Sequence, residues 1–154
     1  MSATIRTNQA LREARLLGIG GYRPVRIVPN AEIVERIDSS DEWIRTRSGI
    51  ATRRWANEDE TVVAMSVAAG GKALAHAGIT PDQVGCVVVS TVSHLYQTPS
   101  AAAEIAYKLG TDRAAAFDIS AACAGFCYGI SLGADMVRGG TADPKAYAER
   151  KHRL

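Results

Sequence analysis

AAAFDISAACAGFCYGISLGADMVRGG, residues 114–140, decides the fold class. Ala114 to Ile119 reads as a buried strand, and Ala121 to Val137, rich in Ala, Gly and Leu, reads as a buried helix that stops at Gly139-Gly140. Upstream, CVVVST (86–91) is β-branched on both faces, the pattern of a strand inside a parallel sheet. Between these strands, Thr98-Pro99-Ser100 opens a helix carrying Ala101, Ala102, Ile105, Ala106 and Leu109, which Gly110 ends. Before them, Glu60 to Ala77 has the apolar spacing of a helix packed on a sheet, closed by Gly78. Gly70 and Gly71 weaken its middle and predict a close backbone approach. Strand and helix alternate, so the class is α/β.

Towards the start, Ala14 to Ile19 reads as a first strand, followed by the turn residues Gly20, Gly21 and Pro24. Asn30 is placed to cap a short helix through Ile33, Val34 and Ile37, and Ser40 with Asp41 and Glu42 opens another. Residues 1–12 are polar and loose, 13–140 form one domain, and 141–154 are a polar tail. A chain of 154 residues, 47% hydrophobic and 22% charged, supports one compact core. A net charge of +2 is too mild for a dedicated nucleic-acid binder. No stretch approaches the roughly 20 apolar residues that span a bilayer, and the opening MSATIRTNQALREARLL has no apolar signal core. Three cysteines, Cys86, Cys123 and Cys127, cannot all pair with one another, which points to a reducing cytoplasm. His76, His94 and His152 are too scattered to complete a metal site, so none is expected.

The chemistry concentrates at Cys123, where strand runs into helix among Ala121, Ala122, Ala124 and Gly125. The free N–H groups and positive dipole end of a helix start favour thiolate over thiol. Small neighbours leave room for a thioester. A cysteine packed like a large alanine fits the same run, so the residues alone leave both readings open. Cys127, one turn deeper on that helix, reads as core. A second concentration lies between Trp43 and Trp55, where Arg45, Arg47, Arg53 and Arg54 stand without an acid, a local basic patch suited to a polyanion. A solvated loop with two half-buried indoles fits equally well.

AFDISAACAGF (116–126) resembles the nucleophile motif of the beta-ketoacyl-acyl-carrier-protein synthase III family. IDSSDEWIRTRSGIATRRW (37–55) is similar to that family's coenzyme A entrance motif, and HLYQTPSAA (94–102) to its acyl-pocket and dimer-contact loop. The resemblance runs from about Ala14 to Gly140 in the family's order. It implies one half of a thiolase-like fold, with a mixed, mainly parallel sheet and a buried nucleophile helix. It implies that Cys123 is acylated by a coenzyme A thioester, which is a substrate rather than a resident cofactor; no cofactor is implied. Trp43 and Arg47 would clasp the adenine of coenzyme A, with Ser39 nearby. Thr98 matches the position that projects into the acyl pocket of the partner subunit in a homodimer, and a Thr there leaves space for a primer longer than acetyl. The further partner implied is malonyl-acyl-carrier protein; neither nucleic acid nor membrane is.

His94 does not match the family's catalytic His, which lies with a catalytic Asn in the carboxy-terminal half. The tail TADPKAYAERKHRL, with His152, carries no matching motif. The resemblance therefore implies a truncated synthase, unable to complete condensation. The alternative is a non-catalytic remnant that binds coenzyme A or dimerises.

Overall fold

The computed structural model describes residues 13–142; the expectations for residues 1–12, and for nearly all of the tail with His152, lie outside the described residues. The centre of the fold is the segment with the strongest apolar pattern. Strands β3 (Cys86–Ser90) and β4 (Ala115–Ile119) pair in parallel, Val88 opposite Phe117 and Val89 opposite Asp118. Helix α4 (Ala101–Leu109) is the crossover between them. Alternation along β3 separates its two faces. Val87 and Val89 join Val63, Ala101, Ile105 and Leu109 in the core shared with α3 (Val62–Ala77) and α4. Val88 and Ser90 face the side where α5 (Gly125–Arg138) crosses.

Local signals explain the helix limits. Thr61 caps α3 through Ala64 N–H at 3.1 Å, and Ser100 caps α4 through Ala103 N–H at 3.2 Å. Gly78 and Gly110 end these helices in the left-handed conformation, as their positions predict. Of the three residues that open this helix, Ser100 is the cap, and α4 starts at Ala101. Among the described residues no backbone approaches the Gly70-Gly71 pair: a Cβ on Gly70 would lie 3.0 Å from the side-chain atom Leu109 Cδ1, while Gly71 meets nothing within 4 Å, and nothing in the structure explains it.

An antiparallel strand pair was not anticipated. β1 (Arg26–Pro29) and β2 (Thr52–Trp55) form an antiparallel pair with Arg26 opposite Trp55, flanking the one-turn helix α1 (Asn30–Val34) and α2 (Asp41–Ser48). The four strands among the described residues thus form two separate ladders within the α/β fold. Asn30 does not cap α1, which stops short of Ile37. Its amide, 1% exposed, donates to Asp41 Oδ1 and Ile50 O at 2.7 Å each and accepts from Arg53, tying the strand pair to α2. Such a buried amide needs partners more than a short helix needs a cap.

Ala14 to Ile19 is not a strand. Gly18 and Gly20 instead lie against the α3 backbone, where a Cβ would fall 2.4 Å from Ala73 O and 2.0 Å from Ala69 O. Lys72 donates to Gly21 O and His76 Nδ1 meets Ile19, so side chains of α3 take up groups that a sheet would otherwise pair. The expected buried helix also differs: α5 leaves Phe126, Tyr128 and Ile130 exposed, because among the described residues it packs mainly on β3. No helix among the described residues is long and apolar enough to cross a membrane.

Candidate active site

The turn that follows β4 holds Cys123 in a 3-10 segment, Ala122–Ala124, directly ahead of α5. The thiol is therefore just before the helix rather than in its first α-turn, and it is exposed. Ala122 adopts φ +42°, in the left-handed region that costs a residue with a Cβ about 1–2 kcal/mol. A strained turn between strand and helix projects the next side chain outward. Here that side chain is Cys123, and it opens onto a hollow of about 380 Å³ lined by Val88, Ser90, Phe126, Gly129 and Ile130.

Two polar contacts bracket this turn. Asp118, five residues before Cys123, accepts Ala101 N–H on Oδ2 and Ala102 N–H on Oδ1, both at 2.8 Å. On the far side, Ser90 Oγ donates to Gly125 O at 2.9 Å. The backbone of α5 rests on Ser90: a Cβ on Gly129 would fall 2.8 Å from its Oγ. Sequence reasoning missed both residues. A signal existed for each, since an Asp between Phe117 and Ile119 needs a buried partner and glycines four apart mark a face that something approaches closely.

Cys127, expected in the core, is exposed on α5 because nothing among the described residues covers that side. Cys86 is half-buried at the start of β3, where burial pushes its thiol up from the usual range.

The residues proposed for coenzyme A lie on or beside α2. Ser40 caps this helix through Trp43 N–H at 3.1 Å. Asp41 pairs with Arg45 on the side away from Trp43, and its carboxyl is held below the usual range first by the Asn30 amide and then by Arg45. One helical turn brings Arg47 over Trp43, with the guanidinium carbon 5.6 Å from the ring centroid and the indole 57% exposed. The two side chains stack on each other. A purine between them needs about 7 Å, two stacking distances of ~3.4 Å, so the gap is closed here. Ser39 Oγ is buried without a hydrogen-bond partner.

Thr98 and Cys123 do not meet in one chain. Thr98 lines a separate hollow of about 650 Å³ with Thr91, His94, Ser100, Asp118 and Ser120. The buried Nε2 of His94 also lacks a partner, and the ring sits edge-on to Tyr96 at 5.8 Å. It does not line the Cys123 hollow.

Residues 44–145 match the family described as Thiolase, N-terminal domain. The chain is 64% identical over 139 residues to beta-ketoacyl-[acyl-carrier-protein] synthase III 1 of Streptomyces avermitilis, covering 90% of this chain and 39% of that protein. It is 66% identical over 130 residues to the synthase III of Streptomyces glaucescens, covering 84% and 39%. Among solved structures, the priming beta-ketosynthase of the R1128 polyketide pathway superposes with a TM-score of 0.82 at 47% identity, over 88% of this chain and 41% of that one. The 3-oxoacyl-[acyl-carrier-protein] synthase III of Aquifex aeolicus gives 0.78 at 36% identity, over 82% and 41%. The chain thus spans 39% of the length of each of these two curated relatives. The likeness supports the thiolase-like α/β class that the nucleophile segment implies.

Proposed function

This chain belongs to the thiolase family through its N-terminal domain, and from that premise we propose that Cys123 is the acyl acceptor of a synthase III reaction. In this reading the Cys123 thiolate attacks the carbonyl of an acyl-coenzyme A primer. A carbon–sulfur bond forms to Cys123, the one to coenzyme A breaks, and coenzyme A leaves as its thiolate, which takes up from solvent a proton equivalent to the one that the Cys123 thiol gave up. In the complete reaction, malonyl-acyl-carrier protein loses carbon dioxide, and its carbanion attacks the acyl-cysteine to release the thiolate. This would initiate fatty acid or polyketide synthesis in the cytoplasm. Residues 13–140 serve as the thiolase-like domain that carries the acceptor.

The observation that carries this reading is the exposed Cys123 on a strained strand-to-helix turn beside an open hollow. Trp43 and Arg47 are proposed to bind the adenine of coenzyme A and Ser39 to stand nearby. Arg47 has to swing off the indole to admit the base. Thr98 is proposed to reach the acyl pocket of a second copy in a homodimer, in keeping with its exposed place beyond the Cys123 hollow. The family's catalytic His and Asn have no matching motif in these 154 residues, so this chain alone is proposed to stop after acylation.

Intact-mass spectrometry after incubation with acetyl- and isobutyryl-coenzyme A tests the proposal. One acyl adduct is expected on the parent chain and none on Cys123→Ala. Binding of coenzyme A without an adduct would instead support a non-catalytic, coenzyme A-binding domain.

A further inference from the structure

Ala122, at φ +42°, is the only non-glycine residue with a positive φ among the described residues, and it immediately precedes Cys123. A residue with a Cβ relaxes out of that conformation unless its surroundings over-determine it. Neither Ala121 nor Ala122 has a polar side chain with which to hold the turn, and no side chain caps the 3-10 segment. The restraint has to come from the two ends.

At the upstream end the restraint runs back to the core. Ala101 and Ala102 are 0% exposed, so their N–H groups cannot turn to water, and both donate to the Asp118 carboxylate at 2.8 Å. An anion on two free N–H groups of a helix start is the favourable pairing of charge and dipole. Helix α4 is the most buried element described, with Ala101, Ala102, Ile105 and Ala106 all in the interior. Asp118 therefore fastens the end of β4 to the most buried helix among the described residues. At the downstream end, Ser90 Oγ donates to Gly125 O, fastening the start of α5 to β3. A Cβ on Gly125 would lie 3.1 Å from Ser90 Cβ, so the helix backbone is seated directly on this residue. β3 and β4 are themselves paired through Ser90 and Ile119.

We propose that Asp118 and Ser90 are the positioning residues of Cys123: they pin the two ends of the turn, and the strained Ala122 conformation that projects the thiol exists because both pins hold. This deepens the acyl-acceptor reading and rests on it for its functional meaning. Neither residue is assigned a step in the chemistry. The Ser90 hydroxyl is committed to the Gly125 carbonyl, and both Asp118 oxygens are committed to α4.

The test uses the 154-residue chain and a reagent that needs no coenzyme A site. Iodoacetamide labelling rates are measured at each cysteine by peptide mass spectrometry. Cys127, exposed on α5, is the internal reference, and half-buried Cys86 reports unfolding. In Asp118→Asn one acceptor is replaced by an NH₂ facing an N–H; in Ser90→Ala only the hydroxyl is lost. The Cys123 to Cys127 rate ratio is expected to fall about fivefold in each, the equilibrium equivalent of one lost net hydrogen bond. Adding Ala122→Gly, which holds a positive φ without strain, is expected to restore most of it. A ratio that stays at the parent value while Cys86 remains protected overturns the proposal. So does a loss that Ala122→Gly leaves uncorrected, since that marks general loosening and not release of the turn. If Asp118→Asn exposes Cys86, the milder Ser90→Ala arm decides. Failure of acylation in the parent would sink the acyl-acceptor reading and leave this labelling result standing.

Discussion

Cys86 and Cys127 set the background against which chemistry at Cys123 is measured. Burial pushes the Cys86 thiol up, so near neutral pH it holds less thiolate and should label slowest. Cys127 is exposed as Cys123 is, but it lies within α5. Cys123 sits on the turn ahead of that helix. Iodoacetamide at pH 7 is therefore expected to modify Cys123 first, which peptide mapping over a time course checks; preferential labelling of Cys127 would remove the case for a specialised thiol. The same scale decides the adenine reading. Trp43 is exposed and already covered on one side by Arg47, so coenzyme A has to replace that contact with a better one. Stacking of a base on an aromatic side chain contributes about 1–3 kcal/mol. Trp43→Ala is expected to abolish fluorescence quenching by coenzyme A and weaken binding about 5- to 150-fold in a calorimetric titration. Unchanged affinity would move the site elsewhere.

Among the elements, one carboxylate ties residues 22–25 to the loop ahead of α3. Glu60, 8% exposed, accepts from Tyr22 Oη, Val25 N–H and Asn57 N–H. The Tyr22 hydroxyl first, and then the Asn57 N–H, hold its carboxyl below the usual range, while Glu60 raises that of Tyr22. A carboxyl depressed by folding contributes stability that is fully present above its unfolded value of about 4.3 and is lost as pH falls through the lower folded value. The raised Tyr22 hydroxyl works in the opposite direction: its contribution is present below about pH 10 and is lost as pH rises through the folded value. Glu60→Gln is thus expected to lower Tm at pH 7 and to flatten the fall in Tm from pH 5 to pH 3, as calorimetry would read; an acid limb as steep as the parent's would show that other carboxylates set it. This join also shows what was legible. β3, α4 and β4 could be read because β-branched runs, capping residues and closing glycines act within a few positions. The β1–β2 pair could not, since RIVP and TRRW carry no apolar alternation and meet across 20 or more intervening residues. Ala14 to Ile19 has a strand's composition, yet Gly18 and Gly20 commit it to the α3 backbone. At the candidate site, the place of Cys123 where strand runs into helix was legible from its neighbours, whereas the partners of Asp118 and Ser90 exist only once α4 and α5 have packed.

For the whole molecule, the unequal burial of α5 bears directly on activity. Its start is seated on Ser90, but Phe126 is 72% exposed and Tyr128 60%, large apolar groups that soluble chains normally cover. The Cys123 hollow is correspondingly open, and among the described residues Cys123 is the only ionisable side chain that lines it. Acylation in that setting needs a thiolate and a donor at the thioester oxygen, and a backbone N–H of the turn can supply part of the second requirement. Condensation asks for more. Forming a carbanion from a malonyl thioester needs donors fixed at its carbonyl, and removing one such donor typically costs about 10²–10³ in rate. His94 is the only histidine near these hollows among the described residues. Its Nε2 is buried, and it borders the Thr98 hollow and not that of Cys123. The 154-residue chain is therefore expected to give an acyl-cysteine but no ketoacyl product when supplied with acyl-coenzyme A and malonyl-acyl-carrier protein, as mass spectrometry of the carrier protein would show. Losses of groups that act as a unit do not add, so the comparison has to be with Cys123→Ala under identical conditions. Turnover in the parent that disappears in Cys123→Ala and in His94→Ala would overturn this expectation and make His94 the missing donor, reached by movement of the 91–100 loop.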